Sequence, residues 1–213
     1  MELVAGISKA RYDIFRWRYE LTVPKKIVLA LGVACLVGLL AQVRFYIPWS
    51  PVPITGQTFA VLLAGVVMGK RWGGISLAIY ALLGIAGVPW FSPQAGMAIF
   101  SAGGINHLVG PTGGYIIGFI LAALFLGFFT DRYLRARGFF NMLGLMLFAN
   151  FALIYIPGLI WLGIWLNMVS GTSTTIPAII TIGATPFIVG DILKVVAAAT
   201  VAKSITPKED YSK

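Results

Sequence analysis

A chain of 213 residues that is 59% hydrophobic, only 11% charged and of mean hydropathy +0.90 leaves no room for a separate soluble domain. It reads as an all-α integral membrane protein of the cell membrane. One cysteine excludes a disulfide framework, glutamates confined to Glu2, Glu20 and Glu209 exclude a carboxylate pair at membrane depth, and the net charge of +9 is distributed for orientation rather than for nucleic acid.

Residues 1–26 form a basic, aromatic cytoplasmic tail in which Tyr12, Phe15, Trp17 and Tyr19 stand beside Arg11, Arg16 and Arg18. That mixture predicts an interfacial helix on the inner leaflet. A cleaved signal peptide is disfavoured, because the charged region is too long and no small-residue cleavage site follows. Residues 27–203 form the membrane domain, with six predicted transmembrane helices: Ile27–Ile47, Val52–Gly69, Trp72–Val88, Gly113–Thr130, Phe139–Met168 and Ile176–Ala202. The second and third are near the minimum length for a span. In the sixth, Pro186 and Gly190 predict a break, so that the true span starts near Pro186 and Thr172 to Ala184 becomes a partly re-entrant or outer connection. Residues 204–213 are a short polar tail.

Charge sets the orientation. Fourteen of the sixteen Lys and Arg residues fall on one side of this six-span arrangement, and the opposite connections near Trp49–Thr55, Pro89–Thr112 and Val169–Thr175 carry no charge. By the positive-inside rule both termini are cytoplasmic. Of the two remaining cations, Arg44 lies near the outer end of the first span, where its side chain is expected to snorkel to the interface. The other is Lys194.

Lys194 stands three residues after Asp191, which puts both on one face of a helix inside the last apolar run. A charge at a helix centre costs roughly 2.5–3.5 kcal/mol to insert, so such a pair calls for an interior use. No glycine-rich phosphate loop is present, since Gly69-Lys70-Arg71 lacks both the leading glycine and the hydroxyl residue. The chain therefore has no ATP site of its own. His107 stands alone, without partners for a metal or a triad, and an enzyme is not expected.

The outer connections carry Ala102-Gly-Gly-Ile-Asn-His107 and Gly110-Pro-Thr-Gly-Gly-Tyr115. Such glycines bring backbone close to a ligand or simply make tight turns, and both readings stand. Gln57 and Asn106 are amides on the same side, available to a pocket or to interhelical hydrogen bonds. Trp161 and Trp165, one turn apart, read as interface anchors or as a ligand wall. Ala30-x3-Ala34-x3-Gly38 lines one face of the first span and admits a closely packed helix, from this chain or another subunit. Cys35, in the same span, is expected to be a small packing residue.

Pro51-Val-Pro-Ile-Thr-Gly-Gln-Thr-Phe59, Gly110-Pro-Thr-Gly-Gly-Tyr115 and Gly190-Asp-Ile-Leu-Lys194, in that order, resemble the BioY family, the biotin-binding S components of energy-coupling factor (ECF) transporters. The resemblance covers about residues 27–203 and leaves the basic tail outside the pattern. It implies biotin capture near the outer face, and delivery through a transmembrane coupling protein and two cytoplasmic ATPase subunits. It also implies that Ala30 and Ala34, with Gly38, dock the coupling protein. Asp191 and Lys194 then belong to the pocket. Asn106, Gln57, Tyr115 and the backbone at Gly103 and Gly104 join them, and Trp161 and Trp165 cover the rings. The competing functions are an S component for another vitamin and a stand-alone carrier in which Asp191 cycles a proton.

Overall fold

The computed structural model describes residues 2–169, 171 and 173–211. Of the predicted outer connection Val169–Thr175, Ser170 and Thr172 lie outside the described residues, as do Met1, Ser212 and Lys213 in the two tails. The polypeptide is a bundle of α-helices with one two-residue antiparallel ladder, β1 (Arg44–Phe45) against β2 (Ile54–Thr55). Among the described residues, five helical stretches are long and apolar enough to cross a membrane: Val23–Gln42, Gln57–Ile85, Gly113–Arg132, Phe139–Met168 and Ile176–Ile205. Large apolar side chains such as Leu39, Leu82, Phe140 and Val189 stand exposed along them, as a lipid-facing surface requires.

Helix α1 (Glu2–Glu20) precedes α2 (Val23–Gln42), which begins with Pro24 in its first turn. At 1.5 Å per residue the twenty residues of α2 span about 30 Å. It ends at Gln42 rather than at Ile47, because Val43 turns extended and leads into β1. On α2, Ala30, Ala34 and Gly38 are buried within the chain itself, and a Cβ at Gly38 would lie 2.9 Å from the Trp90 side chain. The small-residue stripe thus packs inside this subunit and presents no face to a partner. Cys35, on the opposite side, is exposed rather than packed.

Helix α3 (Gln57–Ile85) contains the second and third predicted spans and reverses between them at Gly69, whose φ of +80° only glycine adopts freely. The reversal is shown by Gln57 Nε2 donating to Tyr80 Oη at 2.8 Å, although 23 residues separate them. The arms, residues 57–68 and 70–85, are about 18 and 24 Å long. They close tightly: a Cβ at Gly73 would come 2.9 Å from the Cα of Gly65. Helix α5 (Gly113–Arg132) lies against this hairpin, close enough that a Cβ at Gly65 would meet the Ala123 carbonyl at 2.6 Å. The short α4 (Ile105–Leu108) precedes it.

The fifth apolar stretch runs as α6 (Phe139–Phe148), a π-helical segment Ala149–Ile154 and α7 (Tyr155–Ile164). The sixth is broken, as its proline predicts: α8 (Ile176–Gly183) ends at Ala184, Thr185–Phe187 forms a tight turn carrying Pro186, and α9 runs Ile188–Ile205. Gly190 makes no break; it lies inside the first turn of α9.

On the side bearing the basic turns, the two ends of the chain are locked to the bundle. Arg18 donates to Asp131 Oδ1 at 2.9 Å and to the Val67 carbonyl, and Tyr211 Oη donates to the same Asp131 oxygen at 2.6 Å. The backbone N–H of Lys70 caps Asp131 Oδ2 at 2.7 Å. Arg137 lies over the Tyr211 ring, 4.4 Å from its centroid, and donates to the carbonyls of Pro207 and Glu209. Burial pushes the Tyr211 phenol above its ordinary pKa and lowers that of Arg137. Residues 205–211 are therefore not a free polar tail, and the N-terminal helix buries Phe15 and Arg18 against the protein.

Candidate functional site

Asp191 sits in the first turn of α9, where the helix N-terminus favours a carboxylate. Every described contact of its side chain is polar and specific. Lys194 Nζ donates to Oδ1 at 2.5 Å, while Tyr155 Oη at 2.7 Å and Asn150 Nδ2 at 3.1 Å donate to Oδ2. Lys194 Nζ also donates to the Thr55 carbonyl at 2.9 Å, which ties the β2 end of the loop to α9. The carboxylate is almost fully buried at 4% residual exposure, where a polar group is costly unless it is hydrogen-bonded as this one is.

Asn150 and Tyr155 reach one oxygen through the π segment. In a regular α-helix, residues five apart point about 140° away from each other. Here the Tyr155 N–H donates to the Asn150 carbonyl, a five-residue step, and the extra residue per turn brings both side chains to Asp191.

Asp191 and Lys194 lie on the wall of a cavity enclosing about 610 Å³ between the hairpin α3, α5, the π segment with α7, and α9. Gln57, Tyr80, Tyr115 and Tyr155 add hydroxyl and amide groups, while Phe91, Ile116, Phe119, Ile154 and Phe187 make the rest apolar. Gln57 is held by Thr55 and Tyr80, and Tyr115 Oη donates to the Gly183 carbonyl at 2.7 Å, pinning the end of α8 over the cavity. Trp90 stacks on Tyr80 from behind, with centroids 5.4 Å apart, and its indole N–H donates to the Tyr80 carbonyl.

A second, outer cavity of about 860 Å³ shares Pro53, Ser92, His107 and Thr112 with the first. These four residues make a neck between the inner cavity and an outer vestibule. His107 stacks on Phe91, with centroids 5.2 Å apart, and burial holds its imidazole below the ordinary pKa despite a smaller opposing pull from the Ser92 backbone.

Of the residues singled out in the sequence, Asp191, Lys194, Gln57 and Tyr115 come together at the inner cavity, and Asn106 and Trp165 line only the vestibule. The others are elsewhere. Gly104 spends its backbone N–H on the Gly84 carbonyl at 2.7 Å, and Gly103 packs against the Val88 carbonyl. Trp161 lines neither cavity; its indole N–H donates to the Gly110 carbonyl at 2.8 Å and fixes the turn before α5. Arg44 does not simply snorkel, because its Nη2 donates to the Met97 carbonyl at 2.8 Å. Sequence reasoning missed Asn150, Tyr155, Tyr80 and the neck. For Asn150 a signal existed, an amide alone in an apolar run, but helical periodicity pointed it away from Tyr155.

A family model described as the BioY family matches residues 13–210, so the pattern reaches well into the basic tail that the motifs had left outside it. A probable biotin transporter BioY of Methanothermobacter thermautotrophicus is 52% identical over 149 residues, covering 70% of this chain and 90% of that protein. The biotin transporter BioY of Thermotoga maritima is 36% identical over 156 residues, covering 73% of this chain and 82% of the relative. A crystal structure of the S-component for biotin from an ECF-type ABC transporter matches with a TM-score of 0.72 at 22% identity, over 86% of this chain and 93% of that one, and so shares its fold. By the extent of the family match, the chain belongs to the BioY family, a family of transporters rather than enzymes.

Proposed function

We propose that this chain is the biotin-binding membrane subunit of an ECF-type importer, crossing the membrane six times with both termini cytoplasmic. The observation that carries the reading is the buried pair on α9. A lysine ammonium has three N–H donors, and two are given to Asp191 and Thr55. One remains for a ligand carbonyl. Asp191 Oδ1 takes one donor and has a second lone pair for a ligand N–H beside it. A group presenting N–H and C=O side by side is what this pair accepts, and the ureido ring of biotin is such a group. The aromatic and aliphatic walls suit the thioether ring and the apolar part of the chain.

Energy comes from elsewhere, since the sequence has no phosphate loop. A coupling protein and two ATPase subunits supply it in this reading. The test is calorimetric titration of detergent-purified, biotin-depleted protein with biotin, alongside Asp191→Asn. One-to-one binding that the variant weakens by about 10- to 150-fold, the worth of one charge-assisted hydrogen bond, is the expected result. Folded wild-type protein that gives neither heat nor thermal protection with biotin would end the reading and turn the search to other vitamins.

A further inference from the structure

We propose that the outer vestibule is a second subsite that accepts neutral, amide-linked extensions of the ligand's side chain, so that the protein takes carboxyl-amidated derivatives as well as the free acid. The inference rests on the orientation given above, with the ureido head at Asp191 and Lys194. That orientation sends the opposite end of the ligand through the neck. Beyond the neck the space does not close: the vestibule opens over about 860 Å³, part of it continuous with solvent.

The chemistry of the two cavities differs. The inner one contains the only charged side chains among the described lining residues, Asp191 and Lys194. The described lining of the vestibule holds no lysine, arginine, aspartate or glutamate. Its polar groups are Tyr46, Ser50, Gln94 and Asn106, with Ser92, His107 and Thr112 at the neck. Burial lowers the His107 pKa and so disfavours its cationic form; Arg44 lines neither cavity, its guanidinium lying over the Tyr46 ring with Nη2 on the Met97 carbonyl and Nη1 without a partner among the described residues. A site built to read a carboxylate places a cation on it, since the charge-assisted bond is the strong one. Nothing of that kind lines the vestibule. Hydroxyls and amides serve an amide, which both donates and accepts, as readily as a carboxylate.

One group at the neck points directly to an occupant. Ser92 is buried at 8% exposure, and its hydroxyl has no hydrogen-bond partner among the described residues. A buried hydroxyl left unpaired is costly, and a polar group of the ligand's tail passing the neck would satisfy it.

The experiment compares biotin, its primary amide and its n-butyl amide in titrations of the wild type and of Gln94→Trp, which narrows the vestibule at an exposed position. All three ligands are expected to bind the wild type within about tenfold of one another, because no cation is lost to the amides. Gln94→Trp is expected to weaken the butyl amide by about tenfold or more and the other two by less than about twofold. Amides that bind about 100-fold more weakly than biotin would overturn the proposal, since that is the mark of a carboxylate read by charge. A Gln94→Trp effect that is equal for all three ligands, or absent, would overturn it as well. Biotin that fails to bind at all would instead strike the functional reading beneath it.

Discussion

Two polar clusters in this molecule are built from the same parts. Around Asp191 stand a lysine, a tyrosine and an asparagine; around Asp131 stand an arginine, a tyrosine and a backbone N–H. Each carboxylate has a donor on both of its oxygens. They differ in what lies beside them. The inner cluster borders a cavity, and the lysine and the carboxylate each have hydrogen-bonding capacity left over. The Asp131 cluster is filled in by Phe15, Arg137 and the Tyr211 ring, and it joins the first helix to Tyr211. An ion pair alone therefore says little about function here; the adjoining space decides whether it is a binding device or a fastener.

The sharpest way to break that contrast is Lys194→Met. It leaves Asp191 charged, buried and short of its closest partner, a change that typically costs about 3–5 kcal/mol. Biotin affinity should fall beyond about 100-fold, and thermal unfolding in detergent should show a large loss of stability in the same sample. Retained tight binding would mean that the pair is a fastener after all. Tyr155→Phe is milder, because Asn150 and Lys194 still hold the carboxylate. Titration should show about tenfold weaker binding with the fold preserved, the usual worth of a single buried hydrogen bond.

In the other cluster, Asp131→Asn should do the reverse. The pair is partly exposed, with 22% of the Asp131 side chain accessible, so solvent screening limits its worth to about 1 kcal/mol. For a chain of this size that lowers Tm by about 2–4 °C, and biotin affinity should be unchanged. A drop in affinity would show that the two clusters communicate.

The smallest effect concerns the neck. Burial holds His107 below its ordinary pKa of 6.5, with the Ser92 backbone hydrogen bond opposing it. The unfolded chain takes up its proton near that value, whereas the folded chain resists until lower pH. Stability present above 6.5 is therefore lost as the pH falls toward the folded value. A Tm profile between neutral and mildly acidic pH should show this slope, and His107→Gln should flatten it.

Much of this arrangement is legible in the sequence, and the exceptions have physical causes. Apolar runs locate the helices because lipid leaves the backbone no other partner, and Pro186 marks the break before α9 because it cannot continue a helix. Asp191 and Lys194 declare themselves by charge. Gly190 misleads because glycine permits a break without requiring one. The stripe of Ala30, Ala34 and Gly38 names a close packing surface but not its partner, which turns out to be this chain itself. Residue type leaves Trp161 and Gly104 open between ligand contact and structural roles, and in the fold each donates to a backbone carbonyl distant in sequence, Gly110 and Gly84. The clasp around Asp131 is invisible in the sequence, because its members are separated by up to 193 residues and no local pattern joins Arg18 to Tyr211.

The π segment at Ala149–Ile154 bears on how the site can be lost or gained. Such a turn amounts to one extra residue threaded into an α-helix. Straightening the turn with every residue kept would set Tyr155 about 140° from Asn150 and carry it away from Asp191, whereas removing one residue as the turn straightens would leave the two four apart, about 40° from each other and still on one face. Hydropathy, span length and composition would scarcely change. A relative one apolar residue shorter in this helix could therefore keep the same two side chains on the carboxylate with a regular spiral, whereas one of equal length without the π turn would lose Tyr155 from it.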